Sequence, residues 1–219
     1  MELKGKKIAF LGDSITEGCG TSSREYIYWN VVAQRTGAEC YGYGIGGTRI
    51  APQRVPAVER PWEDKYFASR VEEMIPDADV VVVFGGTNDF GHGDAAFGEL
   101  TDRSEDTFCG AYHLLLQKII ARYTDAKVVV MTPMHRLSED EAYYNEFGVR
   151  RAGRLIRYVD AIKEIAGFYG VAVVDLYRDC QIQPRMDVMR QKFMPDGLHP
   201  NDAGNAMVAD CLLSVLKTL

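Results

Sequence analysis

Residues 80–89 read VVVVFGGTND, and this stretch decides the fold class. The first five residues are apolar at consecutive positions, which is typical of a strand buried on both faces of a parallel sheet. A second run of this kind, VVVM, occupies residues 128–131. These two runs predict central strands, and polar residues follow the first of them directly after two glycines.

Shorter β-rich runs and longer amphipathic runs alternate around these two strands. Strands are predicted at residues 7–11, 39–43, 80–84, 128–132 and 171–175. Helices are predicted at residues 25–36, 107–123, 145–168 and 202–216, and Ser22 with Glu25 fits a capping box before the first helix. The alternation predicts one α/β domain over residues 1–219, a three-layer α/β/α sandwich with right-handed crossovers.

Three stretches fit neither pattern, namely residues 51–66, 90–106 and 134–144. They are rich in proline, in glycine and aspartate, or in polar residues, and each of them follows a predicted strand. Ligands of open α/β sheets bind beyond the carboxyl ends of the strands. We therefore expect these stretches to form the walls of a binding site.

The chain is moderately acidic, with 25 Lys and Arg against 31 Asp and Glu and a net charge of −6. Such a chain has no general attraction for nucleic acid or anionic membranes, so neither is an expected partner. No apolar run approaches the ~20 residues of a membrane helix, and the N-terminal apolar stretch is too short for a signal peptide. The five cysteines are scattered and odd in number, which favours reduced thiols in a cytoplasmic protein.

Polar residues stand directly after the predicted strands. Ser14 follows the first strand, and Asn88 follows the third. Near the C-terminus, Asp196 and His199 lie three residues apart, a spacing that can place a carboxylate against one imidazole nitrogen and leave the other as a base. Each motif has a structural alternative, because Ser14 with Glu17 also fits a capping box, and Asn or Asp-x-x-His is common in turns.

Residues 42–47, GYGIGG, match the glycine pattern of a dinucleotide-binding loop. That fingerprint requires a helix beginning at the last glycine and an acidic residue at the end of the next strand. Pro52 and Pro56 prevent such a helix, and the acidic pair Glu63 and Asp64 lies in the proline-rich stretch. We therefore expect no nucleotide cofactor and interpret the glycines as allowing backbone N–H groups to approach a bound atom closely.

Taken in chain order, four blocks of sequence resemble the SGNH (GDSL-type) hydrolase family. The blocks are residues 12–14, 44–47, 85–89 and 196–200, and they span nearly the whole chain. This resemblance implies a five-stranded parallel sheet in the flavodoxin-like order 2-1-3-4-5. Strands 2, 1 and 3 would then be neighbours, so the first three blocks would converge at one edge of the sheet.

The resemblance also implies roles for individual residues. Ser14 would be the nucleophile that attacks an ester carbonyl, His199 the general base, and Asp196 the residue that fixes the tautomer of His199. The oxyanion hole would consist of the backbone N–H groups of Ser14 and Gly47 and the side-chain amide of Asn88. This chemistry requires neither a metal nor a cofactor.

Several assignments stay open at this point. Gly46 is the alternative to Gly47 as an oxyanion donor. Thr48 and Arg49 stand where many members of the family carry Asp-Thr, a departure that bears on the substrate more than on the catalytic machinery. The candidates for substrate contact are His92 and His135, which lie in the expected walls, and the aromatic residues Trp62, Tyr66 and Phe67, which could equally pin their loop to the core.

The expected function is that of a serine esterase acting on a small acyl ester, with an acetyl group on a carbohydrate as the first expectation. An acyltransferase, a lysophospholipase and a thioesterase with the same site chemistry are alternatives. Other classes also remain, namely a non-catalytic carbohydrate-binding module on the same fold and a flavodoxin-like nucleotide-binding protein. The expected partner is a small-molecule or carbohydrate ester.

Overall fold

The computed structural model describes residues 1–140 and 153–219. Its strands are β1 (Lys7–Gly12), β2 (Glu39–Gly44), β3 (Val80–Phe84), β4 (Lys127–Met131) and β5 (Ala172–Val174). They form a five-stranded sheet in the order β2-β1-β3-β4-β5, and every pair of neighbouring strands is parallel. The predicted fold class and strand order are confirmed.

The register of the sheet places the ends of three strands at one level. In β1, Gly12 is the register partner of Gly44 in β2 and of Phe84 in β3. Because the three strands are parallel, the segments that follow these residues leave the sheet at the same edge. This edge therefore collects residues that are distant in the sequence.

Helices cover both faces of the sheet. They are α1 (Ser14–Glu17), α2 (Tyr28–Thr36), α3 (Thr87–His92), α4 (Phe108–Arg122), α5 (Leu155–Phe168), α6 (Leu176–Asp179), α7 (Asp187–Phe193) and α8 (Asp202–Leu216). One face packs against α2 and α8, and the other packs against α4, α5 and a 3₁₀ segment at Phe67–Glu73. In β3, Val80 and Val82 face the first layer, whereas Val81 and Val83 face the second. Burial on both faces is the reason for the continuous apolar run.

The long helices lie close to their predicted positions. The Thr107 hydroxyl caps α4 by accepting a hydrogen bond from the backbone N–H of Gly110, and α8 occupies the predicted residues 202–216. The predicted helix at 145–168 is observed as α5 from Leu155 to Phe168, and residues 145–152 lie outside the described residues. Within residues 1–140 and 153–219, no helix combines the length and the apolar character needed to cross a membrane.

The predicted capping box at Ser22 and Glu25 is wrong. Glu25 lies in a 3₁₀ turn at Arg24–Tyr26, and α2 begins later, without a side-chain cap. The backbone N–H and the hydroxyl of Ser22 donate instead to the carboxylate of Asp202, the first residue of α8. A contact between distant parts of the chain thus replaces the local cap that the sequence pattern predicts.

Replacement of Gly44 by alanine is expected to separate α1 from the sheet. A Cβ atom at Gly44 would lie 2.1 Å from the backbone nitrogen of Glu17, which cannot move without displacing α1. We expect Gly44→Ala to lower the free energy of unfolding, measured in urea, by about 1–3 kcal/mol or more. The control is Gly167→Ala in α5, where a Cβ meets nothing within 4 Å and the helix should gain up to about 1 kcal/mol. Equal effects of the two substitutions would contradict direct packing of α1 on β2.

Candidate active site

Ser14 is the first residue of the short helix α1, directly after β1. The carboxylate of Asp13 caps this helix by accepting a hydrogen bond of 3.1 Å from the backbone N–H of Ile15. The cap is therefore Asp13, and the interpretation of Ser14 as the helix cap is wrong. The Ser14 hydroxyl faces His199 instead, with 3.0 Å between Oγ and Nε2.

Asp196 holds the other side of the His199 ring. Its Oδ2 lies 2.7 Å from His199 Nδ1, and its Oδ1 accepts hydrogen bonds from the backbone N–H groups of Leu198 and His199. Partial burial would raise the pKa of Asp196, but these hydrogen bonds outweigh burial and hold its pKa below the usual value. An ionised carboxylate at this position favours the tautomer of His199 whose Nε2 accepts a proton from Ser14.

The loop after β2 presents two adjacent glycines to the site. The backbone N–H of Gly46 donates a hydrogen bond of 2.8 Å to the Glu17 carboxylate. Gly47 adopts a positive φ of 77°, and among the residues that the structure describes its N–H has no protein acceptor. Of the two glycines, Gly47 therefore has the N–H that is available to a ligand.

Asn88, at the start of α3, is fixed by the same loop. Its Nδ2 donates a hydrogen bond of 3.0 Å to the carbonyl of Thr48, the residue after Gly47. A primary amide carries two N–H donors, so this bond orients the side chain and leaves the second donor. Ser14, Gly47, Asn88 and His199 all line one cleft with a volume of about 380 Å³.

The wall of this cleft comes from the proline-rich stretch 51–66, as predicted. Arg60, Trp62 and Glu63 line it, and Trp62 is half exposed. A second cavity of about 310 Å³ adjoins the first, because Arg60, Glu63 and His92 line both. The second cavity is otherwise lined mainly by residues 53–59. Together these two adjoining cavities are called the groove.

The other candidates for substrate contact divide into two groups. His92 lines the cleft, and its Nδ1 lies 3.0 Å from the guanidinium of the buried Arg49. His135 lies elsewhere, where its Nδ1 is 2.8 Å from the Glu139 carboxylate and its ring packs on Tyr177.

Some of the aromatic candidates and of the other predicted walls line the cleft, and others do not. Phe67 is buried in the core and the Tyr66 hydroxyl donates to Glu105, so of the three aromatic candidates Trp62 lines the cleft. Of the other predicted walls, Gly91 and Arg136 contribute to it, and residues 141–144 lie outside the described residues.

Sequence comparison agrees with this arrangement. The model of the GDSL-like lipase/acylhydrolase family matches residues 10–207. The chain belongs to this family. It is therefore an ester-hydrolysing enzyme, and the predicted family resemblance is confirmed.

Solved structures similar to this GDSL-family chain extend over its full length. One crystal structure is 32% identical and superimposes with a TM-score of 0.83, covering 100% of this chain and 99% of its own. A protein from Lactobacillus plantarum is 28% identical, with a TM-score of 0.82 and 98% coverage of both chains. The acetyl xylan esterase AlAXEase is 28% identical, with a TM-score of 0.66 and coverage of 95% and 98%. Comparison with curated proteins found no match.

Sequence reasoning missed several charged residues that shape this GDSL-type site. Asp89 is buried, and its carboxylate accepts hydrogen bonds from the backbone N–H groups of Ile50 and Ala51, which fixes the start of the proline-rich stretch. Burial raises the pKa of Asp89 to about 6. Its position next to Asn88 is the one signal in the sequence. Arg70, which lies beneath the site, has no such signal.

Ionisation of the Asp13 carboxyl is unfavourable because the side chain is buried. Its side chain is buried, and burial raises the pKa of its carboxyl to about 6, against the opposing effects of the Ile15 hydrogen bond and of His199 and Arg70. An acid with a higher pKa in the folded than in the unfolded chain binds its proton more tightly when folded. The contribution of Asp13 to the stability of the fold therefore falls as the pH rises from about 4 to about 6.

Asp13→Asn should remove this pH dependence while keeping an oxygen that can cap α1. Relative to wild type, its free energy of unfolding is expected to increase by up to about 3 kcal/mol between pH 4 and pH 7, measured by urea unfolding. Asp187→Asn, at an exposed ion pair with Arg190, controls for the loss of one carboxylate. A difference between Asp13→Asn and wild type that stays constant with pH would contradict the raised pKa.

Proposed function

We propose that the protein hydrolyses small acyl esters through Ser14, His199 and Asp196, with residues 1–219 acting as one catalytic domain. The observation that carries this proposal is the continuous hydrogen-bonded chain from Ser14 Oγ to His199 Nε2 and from His199 Nδ1 to Asp196. A hydroxyl, an imidazole and a carboxylate in this order are a nucleophile, its base and the group that orients the base.

The reaction proceeds in two halves. His199 Nε2 takes the proton from Ser14 as Oγ attacks the ester carbonyl, and Asp196 stabilises the imidazolium that forms. The tetrahedral intermediate collapses, the bond to the alcohol breaks, and His199 returns the proton to the departing alkoxide. Water then attacks the acyl-enzyme with the same His199 as base, which releases the carboxylic acid and restores Ser14.

The oxyanion of the tetrahedral intermediate is stabilised by donors from three segments. They are the backbone N–H groups of Ser14 and Gly47 and the second N–H of the Asn88 amide. The engagement of the Gly46 N–H with Glu17 supports Gly47 over Gly46 as the donor. All three donors lie at the edge where β1, β2 and β3 end.

The preferred substrate is an acetyl ester of a carbohydrate. The exposed Arg60 side chain can hydrogen-bond to sugar hydroxyl groups. Among the described residues, Trp62 and Leu198 are the only large apolar side chains that line the cleft, whereas a long acyl chain requires a more extended apolar lining. The half-exposed Trp62 offers a ring face on which a sugar can stack. The similarity to the acetyl xylan esterase AlAXEase supports the same class of substrate.

Ser14→Ala tests the nucleophile directly. We expect its hydrolysis of p-nitrophenyl acetate to fall by at least about 10³-fold, because the remaining imidazoles cleave this ester slowly without an acyl-enzyme. Ser214→Ala, on the exposed side of α8, is the matched control and should keep full activity. A fluorophosphonate should label wild type and Ser214→Ala but not Ser14→Ala. Equal turnover by all three proteins would refute Ser14 as the nucleophile.

A series of acyl lengths tests the substrate class. On p-nitrophenyl esters, kcat/KM is expected to fall by about 10-fold or more from acetyl to octanoyl, since Trp62 and Leu198 are the only large apolar side chains among the described residues of the cleft that could contact the longer chain. Trp62→Ala should raise KM for an acetylated xylo-oligosaccharide, whereas Trp62→Phe, which keeps an aromatic ring, should have a smaller effect. Phe168→Ala, at an exposed aromatic outside the groove, serves as the control. Octanoyl esters cleaved as fast as acetyl esters would favour a lipase instead.

A further inference from the structure

Arg70 is a buried cation directly beneath the candidate active site. It lies in the 3₁₀ segment Phe67–Glu73, its side chain is 2% exposed, and its guanidinium packs over the Phe67 ring at 4.9 Å. Burial lowers its pKa to about 10, so it remains charged at neutral pH. None of the roles assigned to the site so far uses this residue.

The guanidinium donates hydrogen bonds to oxygen atoms of four separate residues. Nη1 donates to the carbonyl of Tyr43 at 2.7 Å, and Nε donates to the carbonyl of Lys65 at 3.1 Å. Nη2 donates to the carbonyl of Gly12 at 3.0 Å and to the hydroxyl of Thr48 at 3.1 Å. Three of these acceptors are backbone carbonyls and the fourth is a hydroxyl, so none of these hydrogen bonds is to a carboxylate.

These acceptors adjoin the proposed oxyanion donors. Gly12 ends β1 and lies two residues before Ser14, and Thr48 follows Gly47. The carbonyl of Thr48 in turn accepts the hydrogen bond that orients Asn88. One guanidinium is therefore connected to each of the three segments that supply a donor.

We propose that Arg70 is a positioning residue that holds the strand ends and the glycine loop so that the oxyanion donors converge before substrate binds. This role rests on the function proposed above. An apolar side chain could fill the same volume without the cost of burying a cation. What the guanidinium adds is a rigid fork of five N–H donors that reaches several segments at once, which the single ammonium of a lysine cannot reproduce.

Arg70→Lys and Arg70→Met test this role, with Arg122→Lys as the matched control. Arg122 is the last residue of α4. It donates to the carbonyl of Met74 and pairs with Glu72, at the C-terminal end of the 3₁₀ segment that contains Arg70 and away from the cleft. Active sites are counted by titration with a fluorophosphonate, so that misfolded protein does not enter the rate. We expect kcat per active site on p-nitrophenyl acetate to fall by about 10- to 100-fold in Arg70→Lys and further in Arg70→Met. KM should change less than about threefold, because the donors act on the transition state.

Binding of a small alkylboronic acid provides the readout that a merely structural role would not change. Such a compound forms a tetrahedral adduct with a serine nucleophile, and the adduct requires the same donors as the transition state. Its Kd should rise by the same factor by which kcat/KM falls in Arg70→Lys, and both should be unchanged in Arg122→Lys. If Arg70 contributes to stability alone, each titrated site keeps the wild-type kcat and the wild-type affinity for the boronic acid.

Thr48→Val decides the question if the Arg70 variants do not fold. It removes the hydroxyl that accepts from Arg70 and donates to the carbonyl of Ile45 while keeping the shape of the side chain, and Thr48→Ser restores the hydroxyl. We expect a loss of kcat in Thr48→Val and recovery in Thr48→Ser. If Thr48→Val and every folded Arg70 variant keep the wild-type kcat and the wild-type affinity for the boronic acid, the positioning role of Arg70 is refuted. The proposed function would not be affected by that outcome. Absence of Ser14-dependent turnover in the wild type would overturn the proposed function, and this role with it.

Discussion

The position of β1 between β2 and β3, parallel to both, is the constraint on which the site depends. Gly12 lies opposite the last residues of both neighbours, so the segments that carry Ser14, Gly47 and Asn88 emerge at one level of one edge. These segments are far apart in the sequence, and no local contact could bring them together. The continuous apolar run at β3 matters for function because burial on both faces keeps this strand in the middle of the sheet.

Buried charges replace sheet hydrogen bonds where the strands end. Beyond the sheet edge the backbone N–H and carbonyl groups of the loops lose their ladder partners, and those that are buried require other hydrogen bonds. Asp89 and Asp94 accept from backbone N–H groups of the proline-rich stretch, and Arg70 donates to carbonyls of β1 and β2. Asp13 caps α1 in the same manner. Many of the buried polar residues therefore lie around the site, where they fix loops that have no regular structure.

Most of the features that were predictable from sequence have local causes. β3 and α8 lie at their predicted residues. A continuous apolar run and a helical periodicity are both patterns within a short stretch of sequence, so they can be recognised without knowledge of distant residues. The convergence of the site motifs has no local cause, and it was predicted from the strand order that the family resemblance implied. The capping box at Ser22 failed because Asp202, at the other end of the chain, takes its hydroxyl. Arg70 gave no signal because its acceptors are mostly backbone carbonyls, which every residue type provides.

The distance between Ser14 and His199 depends on how α1 and α8 dock, since the two residues belong to different parts of the fold. A buried polar chain connects them: the hydroxyls of Thr16 and Tyr28 are 2.9 Å apart, and the backbone N–H of Tyr28 donates to Asn205 in α8. The Asn205 amide donates to the carbonyl of Pro200, next to His199. Asp196 and His199 are hydrogen-bonded to each other within one turn, so they form one rigid unit. The series of buried hydrogen bonds fixes the position of this unit relative to Ser14. The packing of α8 on α2 thus contributes to the geometry of the proposed triad, although neither helix supplies one of its three side chains.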